Sequence, residues 1–418
     1  MTSTSGKGFT LTTKILMGML LGLTLGSIMN YFSPVGFMKT FVLEGVIELG
    51  GRIFLSSLKL LVVPMVFVSL VSGAASIEDI KRLGRVGSKT FILYTLTTAF
   101  AIASALLIAS FVNPGEGFSI SATTSFEAKE APGLLDVLSN IFPSNPLKAM
   151  VAEEMLQIIV FALLFGIGMT LSGAPGKRLL TLFNDINEVI MRIVMLLMEI
   201  APYGVFCLLF KVFATQGLGA ITPMAKYFFT VLIVLIIHAT LIYGSLLKIL
   251  AKLNPITFFR KYRKVILFAF STASSNATLP VNLEVTEKEL GVNNSVASFT
   301  IPLGATINMD GTAIMQGVAT IFVAQVYGVH LGFNDHLMII LTATLASIGT
   351  AGVPGVGLVM LAMVFKQVNL PVEGIGLIIG VDRLLDMTRT AVNVTGDAVV
   401  SCIVAKSENQ FDEKLYNS

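Results

Sequence analysis

Charged and amide side chains recur at helical spacing inside an apolar run near the end of the chain. They are Asp382, Asp386, Arg389, Asn393 and Asp397, with Thr390 at their edge. At about 100° per residue, a helix would place the first five within an arc of roughly 80°, which we call the polar stripe. If this run crosses a membrane, each charge that faced lipid would cost about 2.5–3.5 kcal/mol. The stripe is therefore expected to face protein, water or a ligand.

The polar stripe carries three carboxylates and one guanidinium. This excess of negative charge favours cations bound from outside the chain; the alternative is a buried ion-pair network that only holds helices together. Arg389 offers the planar, two-pronged donor that suits a carboxylate. Asp386, close to it on the same face, suits an ammonium group. An arginine and an aspartate at one site predict an amino acid with a second carboxylate as the ligand.

A second polar cluster, residues 308–312 (NMDGT), interrupts the apolar run 294–328. Asn308, Asp310 and Thr312 are two residues apart, so a regular helix would point neighbours about 200° apart. A locally unwound helix would free carbonyl groups and turn the Asn and Asp oxygens inward. Hard cations such as sodium prefer such oxygen ligands. The alternative is a glycine-kinked helix with polar packing contacts.

The composition places these clusters in a membrane protein. Of the 418 residues, 54% are hydrophobic and 13% are charged, against about 25% charged in a typical soluble domain. The mean hydropathy is +0.84, and a soluble fold of this size could not hide so much apolar side chain. The expected surroundings are a lipid bilayer. A net charge of +3 indicates no nucleic-acid partner, and Cys207 and Cys402 indicate neither a disulfide framework nor a metal cluster.

Apolar runs of about 20 residues are needed to cross a bilayer, and the chain offers several candidates. They are residues 13–31, 43–74, 88–112, 153–173, 180–213, 222–250, 294–328 and 372–405. Lysine and arginine cluster at 81–89, 177–178 and 248–264, whereas the long segment 113–144 is rich in Ser, Thr and Glu. The positive-inside rule then predicts that both termini are cytoplasmic and that 113–144 is extracellular.

Two more apolar stretches, near 265–285 and 337–366, are interrupted by small and polar residues. The breaks are 271–280 (STASSNATLP) and 347–357 (SIGTAGVPGVG). The flanking arms of about 8–12 residues are too short to span a bilayer, so each stretch predicts a hairpin that enters the membrane and turns back. Paired interrupted segments are typical of a transporter binding site. The alternative, two Gly/Pro-kinked ordinary spans, would leave polar tips unpaired in lipid.

These features together resemble the dicarboxylate/amino acid:cation symporters, the family of glutamate and aspartate transporters, and here its prokaryotic type. The resemblance rests on the two hairpin tips, the 308–312 cluster and the polar stripe, in this order along nearly the whole chain. It implies an all-α polytopic membrane protein with eight transmembrane helices and two re-entrant helical hairpins. The protomers would form a homotrimer, each with a scaffold and a transport domain that moves like an elevator.

The resemblance also implies a domain division. Residues 11–86 and 145–217 would be mainly scaffold and trimerisation helices, 87–112 and 218–406 mainly transport domain, 113–144 an extracellular loop and 407–418 a cytoplasmic tail.

The resemblance further assigns binding residues. Arg389 would hold the side-chain carboxylate of the substrate, and Asp386 would hold its amino group. The substrate would contact Ala273, Ser274, Ser275, Thr312, Val353, Gly357, Asp386, Arg389, Thr390 and Asn393. One sodium site would comprise Asp397 with the carbonyls of Gly304, Asn308 and Asn393. A second would comprise the carbonyls of Thr306, Ser347, Ile348 and Thr350, and a third Tyr94, Thr97, Thr98, Asn308 and Asp310. Sodium is cargo in this assignment, and no cofactor is expected. The threonine-rich run 94–98 is a weak signal by itself, because membrane threonines usually bond to their own backbone.

The predicted function is sodium-coupled symport of aspartate or glutamate across the inner cell membrane, without enzymatic activity. Gln316 stands where the animal transporters carry a glutamate used in proton and potassium coupling, so potassium antiport is not expected. Relatives place a second arginine at the position of Ala273 or of Met387, and neither residue is a cation here.

Several alternatives stay open. Proton coupling or a C4-dicarboxylate substrate would keep the same fold, although Asp386 argues against a dicarboxylate, which has no ammonium group to pair with it. An intramembrane hydrolase or a gated anion channel would belong to a different class. Neither hairpin tip contains a His or Lys to activate a serine, which argues against the hydrolase.

Overall fold

The computed structural model describes residues 11–32, 35–75, 84–117, 142–152, 154–348, 352 and 354–418. In these ranges the regular structure is helical, apart from an isolated β-bridge between Val292 and Phe411. The helices are α1 (Leu11–Tyr31), α2 (Glu48–Ala75), α3 (Gly84–Val112), α4 (Pro146–Val151), α5 (Met155–Leu171), α6 (Ala174–Glu199), α7 (Ala201–Gln216), α8 (Ile221–Ile237), α9 (Tyr243–Leu246), α10 (Pro255–Thr272), α11 (Ser275–Lys288), α12 (Asn294–Ile307), α13 (Asp310–Val326), α14 (Phe333–Ser347), α15 (Val356–Gln367), α16 (Ile375–Ser407) and α17 (Glu413–Asn417). Short π- or 3₁₀-helical segments at Met38–Ile47, Gly217–Ala220, His238–Ile242, Leu247–Ala251 and Val372–Gly374 continue or connect them.

Several of these helices are suited to a bilayer. Within the described ranges, four stretches are long and apolar enough to cross one: Thr13–Tyr31, Met38–Ser72, Arg85–Val112 and Ala201–Ala251. Helix α16, with 33 residues, is also long enough but carries the polar stripe. The described residues therefore form an all-helical membrane protein, and the number of eight spans with two hairpins stays a prediction.

The run 180–213, expected to be one span, is divided into two helices. Helix α6 ends at Glu199, Ile200 donates its N–H back to Leu197 O, and α7 begins at Ala201. Pro202 lies in the first turn of α7, where its missing N–H costs nothing, whereas inside a continuous helix it would remove a hydrogen bond. The proline accounts for the division that the apolar pattern did not reveal.

Both interrupted stretches form helix pairs. Their helices have 18, 14, 15 and 12 residues, so all but the last are longer than the arms of about 8–12 residues expected from the sequence. In the first pair, α10 and α11 pack on each other and on α16. Between them Ala273 adopts a left-handed conformation with φ +49°, and Ser274 caps α11 by accepting the Ala277 N–H at 3.2 Å. In the second pair, α14 ends at Ser347 and α15 begins at Val356, with Gly355 at φ +85°.

The expected interruption within 294–328 is present. Helix α12 ends at Ile307 and α13 begins at Asp310, while Asn308 (φ −92°, ψ 91°) and Met309 (φ −117°, ψ 44°) leave the helical conformation. Both α12 and α13 pack against α16, so the break lies beside the polar stripe.

The C-terminal segment folds back on the first helix pair. Tyr416 is buried, and its hydroxyl donates to Asn254 O at 2.7 Å.

At the end of α16, Lys89 Nζ lies 2.5 Å from Glu408 Oε1. That hydrogen bond, with the nearby positive charges of Lys89 and Arg85, holds the pKa of the Glu408 carboxyl below its ordinary value.

Helices α1 and α7 approach each other through glycines. Gly18, Gly22 and Gly26 recur every fourth residue, and a Cβ at Gly22 or Gly26 would lie 2.7 Å from Phe206 O or 2.6 Å from Phe210 O. Such contacts are typical of membrane helix pairs, in which small residues let backbones pack closely. The approach of α1 to α7 therefore depends on the absence of these side chains.

We expect Gly22→Val to destabilise the folded protein by about 1–3 kcal/mol, because the added carbons overpack a close backbone contact. The measurement is the thermal melting temperature of purified protein in detergent. Gly168→Val is the matched control, since no atom lies within 4 Å of a Cβ there. Equal melting temperatures for both variants would contradict the role of Gly22 in helix packing.

Candidate functional site

Arg389 is the centre of the charged part of the polar stripe. Its side chain is 1% exposed, and Nη1 and Nη2 donate to Asp382 Oδ1 at 2.7 Å and to Asp386 Oδ1 at 2.8 Å. Its Nε has no hydrogen-bond partner among the described residues. The two carboxylates keep the buried guanidinium ionised, and its Nε–H is a donor that an acceptor from outside the chain can use.

Asp386 links Arg389 to the second helix pair. Its Oδ2 accepts from the Gly355 N–H at 3.3 Å and lies 3.4 Å from Nη1 of Arg383. Gly355 directly precedes α15, so a single carboxylate joins α16 to the end of the break between α14 and α15. Arg383 is a site neighbour that the sequence analysis did not identify.

The breaks of the two helix pairs touch at Gly352. Ser274 Oγ and the Asn276 N–H both donate to Gly352 O, at 2.7 and 3.1 Å. A Cβ at residue 352 would lie 2.9 Å from Ser275 Cβ, closer than carbon atoms normally approach. The structure therefore brings the predicted residues Ser274 and Ser275 to the junction of the two pairs, where both are buried.

Thr312 and Gly357 flank Arg389 from two other helices. A Cβ at Gly357 would lie 3.2 Å from Arg389 Nη2 and 3.4 Å from Thr312 Cγ2. Thr390 Oγ1 instead donates to the main-chain oxygen of Asp386 at 2.9 Å, which is a bond within its own helix. Val353 lies outside the described residues.

Asn393 connects α16 to the break between α12 and α13. Its Oδ1 accepts from the Gly311 N–H at 2.7 Å, and its carbonyl oxygen accepts from Asn308 Nδ2 at 3.0 Å. A Cβ at Gly311 would lie 2.6 Å from Arg389 O. The first turn of α13 can thus reach α16 only because residue 311 is a glycine.

Asn308 and Asp397 contribute two buried oxygens without hydrogen-bond donors. Asn308 Nδ2 donates to Asp397 Oδ1 at 2.9 Å, but Asn308 Oδ1 and Asp397 Oδ2 have no partner in the described part of the chain. Both residues are 1% exposed. Gly304 packs against this pair, since a Cβ there would collide with Asp397 Oδ1. Buried polar atoms are normally paired, and carboxylate and amide oxygens are the ligands that hard cations prefer.

Asp310, in contrast, is already surrounded by donors. Thr98 Oγ1 donates to its Oδ1 at 2.5 Å, and Tyr243 Oη donates to its Oδ2 at 2.7 Å. His238 Nε2 also lies 3.0 Å from Oδ2. Thr98 and Asp310, which were assigned to one sodium site, are therefore in contact. His238 and Tyr243, which the sequence did not indicate, contact the same carboxylate.

The other hydroxyls assigned to sodium bond to the backbone. Tyr94 Oη donates to Thr300 O at 3.0 Å, and Thr97 Oγ1 donates to Tyr94 O at 3.1 Å. Tyr94 Oη also lies beside Gly304, where a Cβ would be 2.7 Å away.

For the predicted site below the second break, Thr306 Oγ1 and Ser347 Oγ also bond within their own helices, at 2.9 and 2.8 Å. Ile348 is buried directly after α14. Thr350 lies outside the described residues.

The sequence offered a signal for some of the missed residues. Arg383 is three positions before Asp386 on α16, a spacing at which helical side chains meet, so its contact was predictable. His238 and Tyr243 lie in an apolar run between α8 and α10, with no spacing that relates them to Asp310. Their contact depends on packing between distant helices.

Comparisons with known proteins agree with this architecture. The model of the sodium:dicarboxylate symporter family matches residues 11–407. The proton/glutamate-aspartate symporter of Escherichia coli (strain K12) is 35% identical, over 97% of this chain and 94% of the relative. The proton/sodium-glutamate symport protein of Bacillus caldotenax is 33% identical, over 96% of this chain and 95% of the relative. The C4-dicarboxylate transport protein of Bacillus subtilis (strain 168) is 32% identical, over 87% of this chain and 88% of the relative.

The family match extends over nearly the whole chain and includes both helix pairs, the break before α13 and the polar stripe. The resemblance drawn from the sequence motifs is thereby confirmed. Members of this family are secondary transporters and not enzymes. This chain belongs to the sodium:dicarboxylate symporter family.

Proposed function

We propose that the chain couples the inward movement of sodium to the uptake of an acidic amino acid, aspartate or glutamate. The proposal rests on the presence, on one helix, of a buried guanidinium and a buried carboxylate, one of whose two oxygens has no donor among the described residues. Arg389 and Asp397 are eight residues apart, or about 12 Å along α16. An anion at one end of this segment and a cation at the other favour each other's binding.

The substrate binds at Arg389, between the two helix pairs. Its guanidinium presents the unpartnered Nε and further N–H donors to a carboxylate. Gly357 lies beside Arg389 and Thr312, and Ser274 and Ser275 lie at the junction of the two helix pairs, beside Gly352. Asp386, at 2.8 Å from the guanidinium, supplies the negative charge for an ammonium group.

Sodium is the coupling ion at Asp397. The unpaired oxygens of Asn308 and Asp397 suit a cation with several oxygen ligands. The helix is interrupted beside them at residues 308–309, and interrupted membrane helices are typical places for main-chain carbonyls to bind a cation. Gly304 and Asn393 supply main-chain oxygens at this site. The remaining sodium sites are those built around Asp310 and around Thr306.

Proton coupling is the competing function, because the names of two relatives include it. A protonated Asp397 Oδ2 that donated to Asn308 Oδ1 would also pair both oxygens, so these two atoms alone fit either ion. The interrupted helix beside them favours sodium, because a cation takes several oxygen ligands whereas a shared proton joins only two oxygens.

We further propose that the protein works by an elevator mechanism in a homotrimer. Helices α1, α2, α5, α6 and α7 make their most extensive contacts with one another, and α3 and α10–α14 pack with α13 and α16. This grouping agrees with a scaffold at 11–86 and 145–217 and a transport domain at 87–112 and 218–406. The protein would lie in the inner cell membrane with both termini in the cytoplasm.

The function is tested by uptake of radiolabelled aspartate and glutamate into proteoliposomes, with sodium and pH gradients imposed separately. We expect concentrative uptake with an inward sodium gradient at equal pH on both sides. Concentrative uptake with the pH gradient alone would show that protons, and not sodium, are the coupling ion. Uptake that only equilibrates the substrate would indicate a channel.

We expect Arg389→Cys to reduce binding of acidic amino acids by at least about 100-fold, because two charge-assisted hydrogen bonds of about 1.5–3 kcal/mol each are lost. The measurement is equilibrium binding of labelled aspartate to purified protein in sodium. Arg192→Cys, at an exposed position on α6, is the matched control. Unchanged aspartate affinity in Arg389→Cys would remove Arg389 from the substrate site.

We expect Asp397→Asn to raise the sodium concentration that half-saturates aspartate binding by about tenfold, because a neutral amide binds a cation less strongly than a carboxylate. A sodium titration measures this shift. Asp185→Asn, exposed on α6, controls for the loss of one negative charge. Identical titrations for wild type and Asp397→Asn would exclude this carboxylate as a sodium ligand.

A further inference from the structure

Arg383 is a second guanidinium in contact with Asp386, the carboxylate proposed to bind the amino group of the substrate. Its Nη1 lies 3.4 Å from Asp386 Oδ2, and both side chains are 11% exposed. Ala273 and Met387 carry no charge, so Arg383 supplies the second guanidinium beside Asp386.

The four charged residues form an alternating chain. Arg383 contacts Asp386, Asp386 contacts Arg389, and Arg389 contacts Asp382, at 3.4, 2.8 and 2.7 Å. Two cations and two anions make this group neutral. Without Arg383 it would carry one net negative charge, which would oppose any anionic substrate.

Asp386 consequently serves three donors at once. Its Oδ1 is held by Arg389, and its Oδ2 by Arg383 and by the Gly355 N–H. A carboxylate with two arginine partners has less negative potential left for the ammonium group of an amino acid. It also repels a ligand without an ammonium group less strongly.

We infer that Arg383 sets how strongly the site discriminates between acidic amino acids and C4-dicarboxylates that lack an amino group. This inference rests on the proposed binding of substrate at Arg389 and Asp386. Aspartate carries one net negative charge near neutral pH and succinate carries two. Removal of the Arg383 charge therefore weakens succinate binding more than aspartate binding, for two reasons. The group of charged residues becomes net negative, and Asp386 is left with a stronger negative potential, which repels succinate but attracts the ammonium group of aspartate.

The test is competition between succinate and radiolabelled aspartate for purified full-length protein in sodium. In Arg383→Gln and in Arg383→Met, we expect the ratio of the succinate to the aspartate dissociation constant to rise about tenfold, equivalent to one charge-assisted hydrogen bond. Arg383→Lys keeps the charge, so its ratio stays within about threefold of wild type. Arg178→Gln, exposed at the start of α6, is the matched control.

An unchanged ratio in the neutral variants would overturn the inference, as would a change in Arg383→Lys as large as that in Arg383→Gln. A purely structural ion pair would shift both dissociation constants together and leave the ratio constant. The Met variant decides the result if the Gln variant does not fold. If the wild type binds no aspartate, the proposed function fails. The inference is then tested by direct binding of succinate, which must weaken in Arg383→Gln but not in Arg383→Lys.

Discussion

The burial of Arg389 between two carboxylates is the interaction on which the site depends. A guanidinium that is 1% exposed in an apolar environment is tolerable only because Asp382 and Asp386 lie within 2.8 Å of it. Loss of Arg389 would leave the buried Asp382 carboxylate without its ion-pair partner, at a cost of about 3–5 kcal/mol. The two ion pairs hold the guanidinium in one orientation, with Nη2 beside Gly357 at the start of α15. The ion pairs that make burial of Arg389 tolerable are therefore also part of the proposed substrate site.

Neighbouring breaks in regular helices extend this site. Between α12 and α13, two residues leave the helical conformation, and the Gly311 N–H bonds to the side chain of Asn393. At the two tips, Gly352 O accepts from Ser274 and Asn276 of the other pair. Backbone groups that leave a helix inside a membrane must find partners in protein or ligand. The breaks thus concentrate polar groups at one place beside α16.

Glycines permit the close approaches that bring these elements together. Gly304, Gly311 and Gly357 each adjoin a polar side chain or backbone of the site, and a side chain at Gly304 or Gly311 would collide with α16. Between α1 and α7, Gly18, Gly22 and Gly26 likewise permit a close backbone approach. In lipid, helices gain little from burying apolar surface against each other, so contacts at short range contribute much of the association.

The sequence alone determined the membrane class, the spacing of the polar stripe, the interruption at 308–309 and the family, because these depend on composition and on local helical period. The division at Ile200, the donors around Asp310 and the role of Gly352 were decided only by the tertiary structure. His238 and Tyr243 are separated from Asp310 by 72 and 67 positions, and no local pattern encodes which distant helices pack together. Arg383 is an intermediate case. Its helical spacing from Asp386 is visible in the sequence, but only the tertiary structure shows that Arg383 and the Gly355 N–H contact the same oxygen, Oδ2 of Asp386.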